Sequence, residues 1–192
     1  AVVPQNVRAF CDGTPNGGHL ESYRVLRTNM QFSYKVREPR TFCCTSGGMG
    51  EGKSLTVFNL AYVCAQTGDR TLIVDSDLHR PRQHKILGVS NSIGLSNVLV
   101  GEIALKDAVV ATRVPNLDLL PSGKLSAWFH GLLGTRKMKD LVSQLKEEYD
   151  VVLFDTPPII GVSDASLIAR EMDGIIQVIQ HRKYPKAIAQ RA

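Results

Sequence analysis

A chain of 192 residues, 43% hydrophobic and 21% charged, is long enough for one globular domain with a sizeable core, and this composition excludes a fibre or a disordered polymer. No apolar run approaches the ~20 residues that span a bilayer, and the amino end AVVPQNVRAF lacks the apolar core of a signal peptide. A net charge of +5 permits nucleic acid, anionic lipid or nucleotide as partner, yet the basic residues form small groups (Arg80, Arg82, Lys85; Arg136, Lys137, Lys139; Arg182, Lys183, Lys186) with no interleaved aromatics, a pattern of solvated surface that argues against a nucleic-acid partner.

Residues 1–19 carry Pro4, Pro15, Gly13, Gly17 and Gly18 with little periodicity and read as a lead-in to a domain over 20–192. A start at Ala and not Met reads as a piece of a longer chain. From Leu20 to Phe32, Leu20, Tyr23, Leu26 and Met30 recur at helical spacing while Glu21, Arg24 and Arg27 form a polar stripe. That stripe suits local ion pairs on a surface helix, or a contact between copies through Arg–Glu pairs.

The run Thr41–Thr56, TFCCTSGGMGEGKSLT, reads as strand, phosphate loop and helix. Gly47, Gly48, Gly50 and Gly52 let the backbone turn its N–H groups inward. The following helix aims its positive end at the same point, and Lys53 adds a mobile cation. Ser54, in the first helical turn, can ligate the Mg²⁺ that accompanies a nucleoside triphosphate. The helix over Lys53–Gln66 is apolar on several faces, with Gly68 placed to cap it, so it packs on a sheet. Cys11, Cys43, Cys44 and Cys64 have no metal-ligand spacing, and an adjacent pair inside a buried strand implies reduced thiols in a cytosolic setting.

Thr71–Val74 is a wholly apolar strand of the kind buried in a parallel sheet, and it ends at Asp75, Ser76 and Asp77. Alternate residues leaving a strand point to one side, so Asp75 and Asp77 face the phosphates if this strand neighbours the loop's strand. One can then serve the metal and the other take a proton from an attacking hydroxyl. An Asx turn with a helix cap before Pro81 is the competing use for the same residues. Residues 84–112 read as short helices and turns punctuated by Gly94 and Gly101.

Leu117–Leu120 is a strand, and the stretch after Gly123 holds Trp128 and Phe129, read first as core ahead of an adenine platform or a partner surface, beside His130, read as a solvated or capping histidine. Met138–Glu147 is a helix with Leu141, Val142 and Leu145 on one side. Val151–Phe154 is a second wholly apolar strand, ending at Asp155, where phosphate-loop enzymes hold Mg²⁺ through water. A helix over Asp164–Glu171 and a strand over Gly174–Ile179 follow. The fold class is therefore α/β: a three-layer, phosphate-loop arrangement with a mostly parallel sheet covered by helices on both faces.

Four elements resemble the bacterial tyrosine kinase family, the cytoplasmic kinases of capsule and exopolysaccharide assembly: Glu21-x2-Arg24-x2-Arg27, SGGMGEGKS (Ser46–Ser54), LIVDSDLHRP (Leu72–Pro81) and VVLFDTPP (Val151–Pro158). The resemblance covers about residues 20–180. It implies transfer of the γ-phosphoryl of ATP to tyrosines of a neighbouring copy, with Mg²⁺. It implies nucleotide binding by Gly48, Met49, Gly50, Glu51, Gly52, Lys53, Ser54 and Leu55. Lys53, Asp75, Asp77 and Asp155 are then catalytic, and Ser54, Asp77 and Asp155 metal-binding. Glu21, Arg24 and Arg27 become the contact of a ring-like homo-oligomer. The family also works at the inner face of the plasma membrane beside a polysaccharide co-polymerase segment, in the same chain or a separate one, and phosphorylates a tyrosine-rich tail of its neighbour.

Three departures qualify the match. His79 stands where the family usually has Arg, and KLSAWFHG replaces a proline-rich segment before Leu132 and Leu133. Only Tyr184 lies near the carboxyl end, so the last part of the domain is expected beyond Ala192, and either the tail lies there too or this copy has no substrate of its own. The motifs also look like those of ParA and MinD partition ATPases, but these carry a second lysine early in the loop, where this chain has Gly48. A nucleotide-binding scaffold without phosphoryl transfer is the third reading, motivated by His79 and the missing tyrosines.

Overall fold

The computed structural model describes the chain apart from residues 5, 14, 33–39, 125–130, 161, 186, 188–189 and 191–192. Trp128, Phe129 and His130 lie outside the described residues. The elements in chain order are α1 (Gly17–Phe32), β1 (Thr41–Ser46), α2 (Lys53–Gln66), β2 (Thr71–Asp75), α3 (Gln83–Leu87), α4 (Leu95–Val100), α5 (Leu105–Ala108), β3 (Val110–Ala111), β4 (Leu117–Leu120), α6 (Arg136–Glu148), β5 (Val151–Asp155), α7 (Asp164–Ala169) and β6 (Gly174–Val178).

The strands form one sheet in the order β3-β4-β2-β5-β1-β6, with every pair parallel except β3 and β4. Central strands buried on both faces must be apolar at consecutive positions, which is why TLIV and VVLF show no alternation. The alternation survives in where each side chain goes. Phe42, Cys44, Ile73, Leu117, Leu119 and Leu153 pack with α1 and α2 on one face. Cys43, Leu72, Val74, Leu120, Val152 and Phe154 pack with α4, α5 and α6 on the other. Adjacent Cys43 and Cys44 thus enter opposite layers and cannot bridge each other; all four cysteines are free, and burial pushes the Cys43 thiol up to about 11 and that of Cys64 to about 12.

The sequence reading of residues 1–19 as a lead-in missed an anchor. Phe10 is buried, edge-on to Tyr23 at 5.3 Å and to Tyr62 at 5.7 Å. Asn59, fully buried in α2, accepts the N–H of Phe10 and donates to the carbonyl of Arg8. Proline and glycine density signalled irregular backbone, and irregular backbone can still carry one aromatic into the core. Strand β3 was also unforeseen, since two residues paired with β4 leave no periodicity to read.

α2 stops where expected: Gly68, at φ 96°, donates its N–H to the carbonyl of Ala65. α1 begins at Gly17, three residues earlier than its apolar repeat suggests. Its polar stripe is divided. Arg24 meets Glu21 at 3.4 Å on the exposed surface, whereas Arg27 bonds Asp69 of its own chain at 2.8 Å and is mostly covered.

Candidate functional site

Sheet register builds the site. β5 lies between β1 and β2, with Asp155 opposite Cys44 on one side and opposite Asp75 on the other. The carboxyl ends of three strands therefore bring together the phosphate loop, Asp75 and Asp155, at the edge where open α/β sheets receive ligands. Lys53 begins α2 directly after Gly52, whose φ of 93° only glycine takes without strain. The N–H groups of the first α2 turn and the Lys53 ammonium offer positive charge to an anion there.

The loop departs from expectation at Gly48. Its N–H donates to Glu51 Oε2 at 2.8 Å, so Glu51 folds back as a brace, and its other oxygen accepts the N–H of Gln180 at 3.1 Å. The carboxylate of Glu51 thus engages an N–H that the sequence reading assigned to a phosphate.

Of the two uses that the sequence leaves open for Asp75 and Asp77, the hydrogen bonds show the turn and the helix cap. Asp75 Oδ2 accepts the backbone N–H groups of Arg82 at 3.0 Å and Gln83 at 2.9 Å, capping α3, while its Oδ1 has no donor among the described residues. Asp77 Oδ1 accepts the N–H of Arg80 at 3.0 Å in a tight turn. Asp75 and Asp155 are fully buried, and Asp77 retains 7% exposure.

Gln83 is the residue that spacing did not reveal. It is fully buried, and its Nε2 donates to Asp155 Oδ2 at 2.8 Å and to the Ser54 carbonyl at 2.9 Å. No periodic or motif signal marks a glutamine at the first position of a five-residue helix. Only the strand register brings it to the site. His79, the substitute for arginine, faces Asp164 with Nε2 and Oδ2 3.1 Å apart.

The electrostatics favour a cation. Burial raises the Asp75 carboxyl above its ordinary range, and neighbouring Asp155 pushes it further, against the N–H bonds of Gln83 and Arg82. Burial likewise raises Asp155, opposed by hydrogen bonds from Ser54 and Gln83 and by the Lys53 charge. Asp75 Oδ1, Asp155 Oδ1 and Gln83 Oε1 are buried acceptors with no donor among the described residues. Buried acceptors left unpaired are costly, and hydrated Mg²⁺ would relieve them. Among the described residues no group of three His, Cys, Asp or Glu is arranged to hold a metal unaided. Mg²⁺ usually keeps several waters and takes phosphate oxygens besides its protein ligands.

Residues 42–187 match the family model described as AAA domain. The tyrosine-protein kinase YwqD of Bacillus subtilis is 38% identical over 190 residues, spanning 99% of this chain and 79% of that protein. Among solved structures, the kinase domain of Escherichia coli tyrosine kinase ETK superposes with a TM-score of 0.90 at 27% identity, covering 100% of this chain and 75% of that one. The septum site-determining protein MinD of Pyrococcus horikoshii, solved with Mg-ADP, gives a TM-score of 0.61 at 30% identity over 72% of this chain and 57% of its own.

Proposed function

Because the chain belongs to the family of bacterial tyrosine-protein kinases and is an ATP-dependent enzyme of that class, we propose that its acceptors are tyrosines of a neighbouring copy within a ring-like assembly. In this reading it acts at the inner face of the plasma membrane beside a polysaccharide co-polymerase segment and regulates capsule or exopolysaccharide synthesis. The observation that carries the site assignment is the convergence of Lys53, Ser54, Asp75, Asp77 and Asp155 at the carboxyl ends of β1, β2 and β5.

The phosphates of ATP would lie against the loop Gly48–Gly52 and the amino end of α2, with Lys53 neutralising their charge. Ser54, Asp77 and Asp155 would hold Mg²⁺, which when bound screens the phosphate oxygens. An incoming tyrosine hydroxyl needs an acceptor for its proton, and Asp77 keeps the exposure that Asp75 and Asp155 lack. Asp75 supports it by fixing the backbone at Arg82 and Gln83. Positioning and charge neutralisation supply most of the acceleration in such transfers.

A partition-type ATPase shares the fold but brings a lysine where Gly48 stands here. Incubation with Mg-ATP and a tyrosine-bearing partner, read by phosphotyrosine mass spectrometry, separates the alternatives. Phosphotyrosine on a catalytically inactive second copy supports transfer between subunits. ATP hydrolysis with no phosphotyrosine on either copy or partner overturns the acceptor assignment.

A further inference from the structure

We propose that Gln83 is a positioning residue that selects which oxygen of Asp155 faces the cation site, an inference that rests on the Mg-nucleotide reading of the loop. A glutamine amide has two N–H donors on Nε2, and both are spent: one on Asp155 Oδ2 at 2.8 Å, one on the Ser54 carbonyl at 2.9 Å. Both partners are acceptors, which fixes the amide orientation. With Oδ2 of Asp155 engaged, Oδ1 is the oxygen left over, and it is buried without a donor.

The same residue gives its backbone N–H to Asp75 Oδ2. Gln83 therefore ties together the end of β2, the end of β5 and the first turn of α2. A purely structural cap on α3 needs only that backbone N–H. The side chain adds two bonds that end on a residue and a turn assigned to Mg²⁺, and it leaves its own Oε1 unpaired beside them. A fully buried polar group kept in that state is costly unless a ligand completes it. Partners that orient a metal ligand typically change metal affinity by about 10- to 100-fold when removed.

The test uses the full chain and a fluorescent ADP analogue titrated with Mg²⁺ and, separately, in excess EDTA. Gln83→Met preserves volume and deletes both donors. Gln83→Asn retains an amide too short to span Asp155 and Ser54. Each folded variant is expected to need about 10-fold more Mg²⁺ or above for half-maximal nucleotide binding, with affinity in EDTA within about two-fold of the unaltered protein. An unchanged Mg²⁺ midpoint in either folded variant overturns the role, as does an equal loss in EDTA. Absence of Mg²⁺-dependent binding in the unaltered protein counts instead against the nucleotide reading itself, and it is seen before any substitution is made.

Discussion

The hydroxyl of Tyr184 donates to the carbonyl of Met49 across 3.0 Å, so a residue beyond the end of β6 grips the phosphate loop. Its ring occupies the place that a Cβ on Gly48 would take, and the Lys183 ammonium bonds the Gly50 carbonyl. Loop carbonyls point outward when N–H groups point inward, so this contact holds the loop from behind.

Gly48→Ala should drive the ring off the loop and speed trypsin cleavage at Arg182 and Lys183. Tyr184→Phe keeps the ring and loses one hydrogen bond, a cost of about 1 kcal/mol. Equal cleavage rates in Gly48→Ala and the unaltered protein would show that the ring does not hold that segment.

Lys53→Met should lower phosphotyrosine formation by about 100-fold or more, since it removes the cation at the phosphates while leaving the backbone cradle. Lys53 is 7% exposed, and methionine keeps the length of its buried stem while removing the charge. Retained phosphorylation, measured by mass spectrometry with Mg-ATP, places the chemistry elsewhere.

The two arginines of α1 should behave differently. Arg24 and Glu21 are exposed, so Arg24→Ala should reduce the mass seen in sedimentation while leaving the melting temperature unchanged. Arg27 is committed to Asp69 within its own chain, so Arg27→Ala should also cost about 1 kcal/mol of stability. If both substitutions leave the sedimenting mass unaltered, α1 is not a contact between copies.

Asp173 provides a pH test away from the site. Burial pushes its carboxyl up, but hydrogen bonds from Lys146, Arg40 and Thr41 outweigh this and hold it at about 2. A folded value below the unfolded one, near 3.9, means the stabilisation is present above that pH and lost as pH falls toward the folded value. Allowing for partial exposure, Asp173→Asn should cost about 1 kcal/mol at neutral pH. Urea titrations of the two proteins should differ at neutral pH and converge as pH approaches the folded value; a gap independent of pH excludes the ionised carboxylate as its source.

The strand ends were legible because parallel strands buried on both faces announce themselves as apolar runs, and a carboxylate that terminates one is conspicuous. Asp75 and Asp155 stood out for that reason. Phe10 did not, because one aromatic in a proline- and glycine-bearing segment has no period. Gln83 and the bracing role of Glu51 escaped for a different reason. Their contributions are side-chain bonds across 72 and 129 residues of sequence, to Asp155 and Gln180, and only the register of β1, β2 and β5 creates them. Tyr184 was noted as a lone tyrosine near the carboxyl end; its seat on Met49 depends on where β6 delivers the chain.

Asp75 and Asp155 are direct partners across neighbouring strands, so the separation of their backbones is set by the inter-strand ladder, about 4.8 Å in any sheet. Loops lengthen and reshape readily; ladders do not. Changes in the connecting segments can therefore alter which protein reaches the site without altering how far apart the backbones that carry its two deepest carboxylates stand. Retuning that interval requires moving a central strand, and a central strand moves only when the domain itself comes apart.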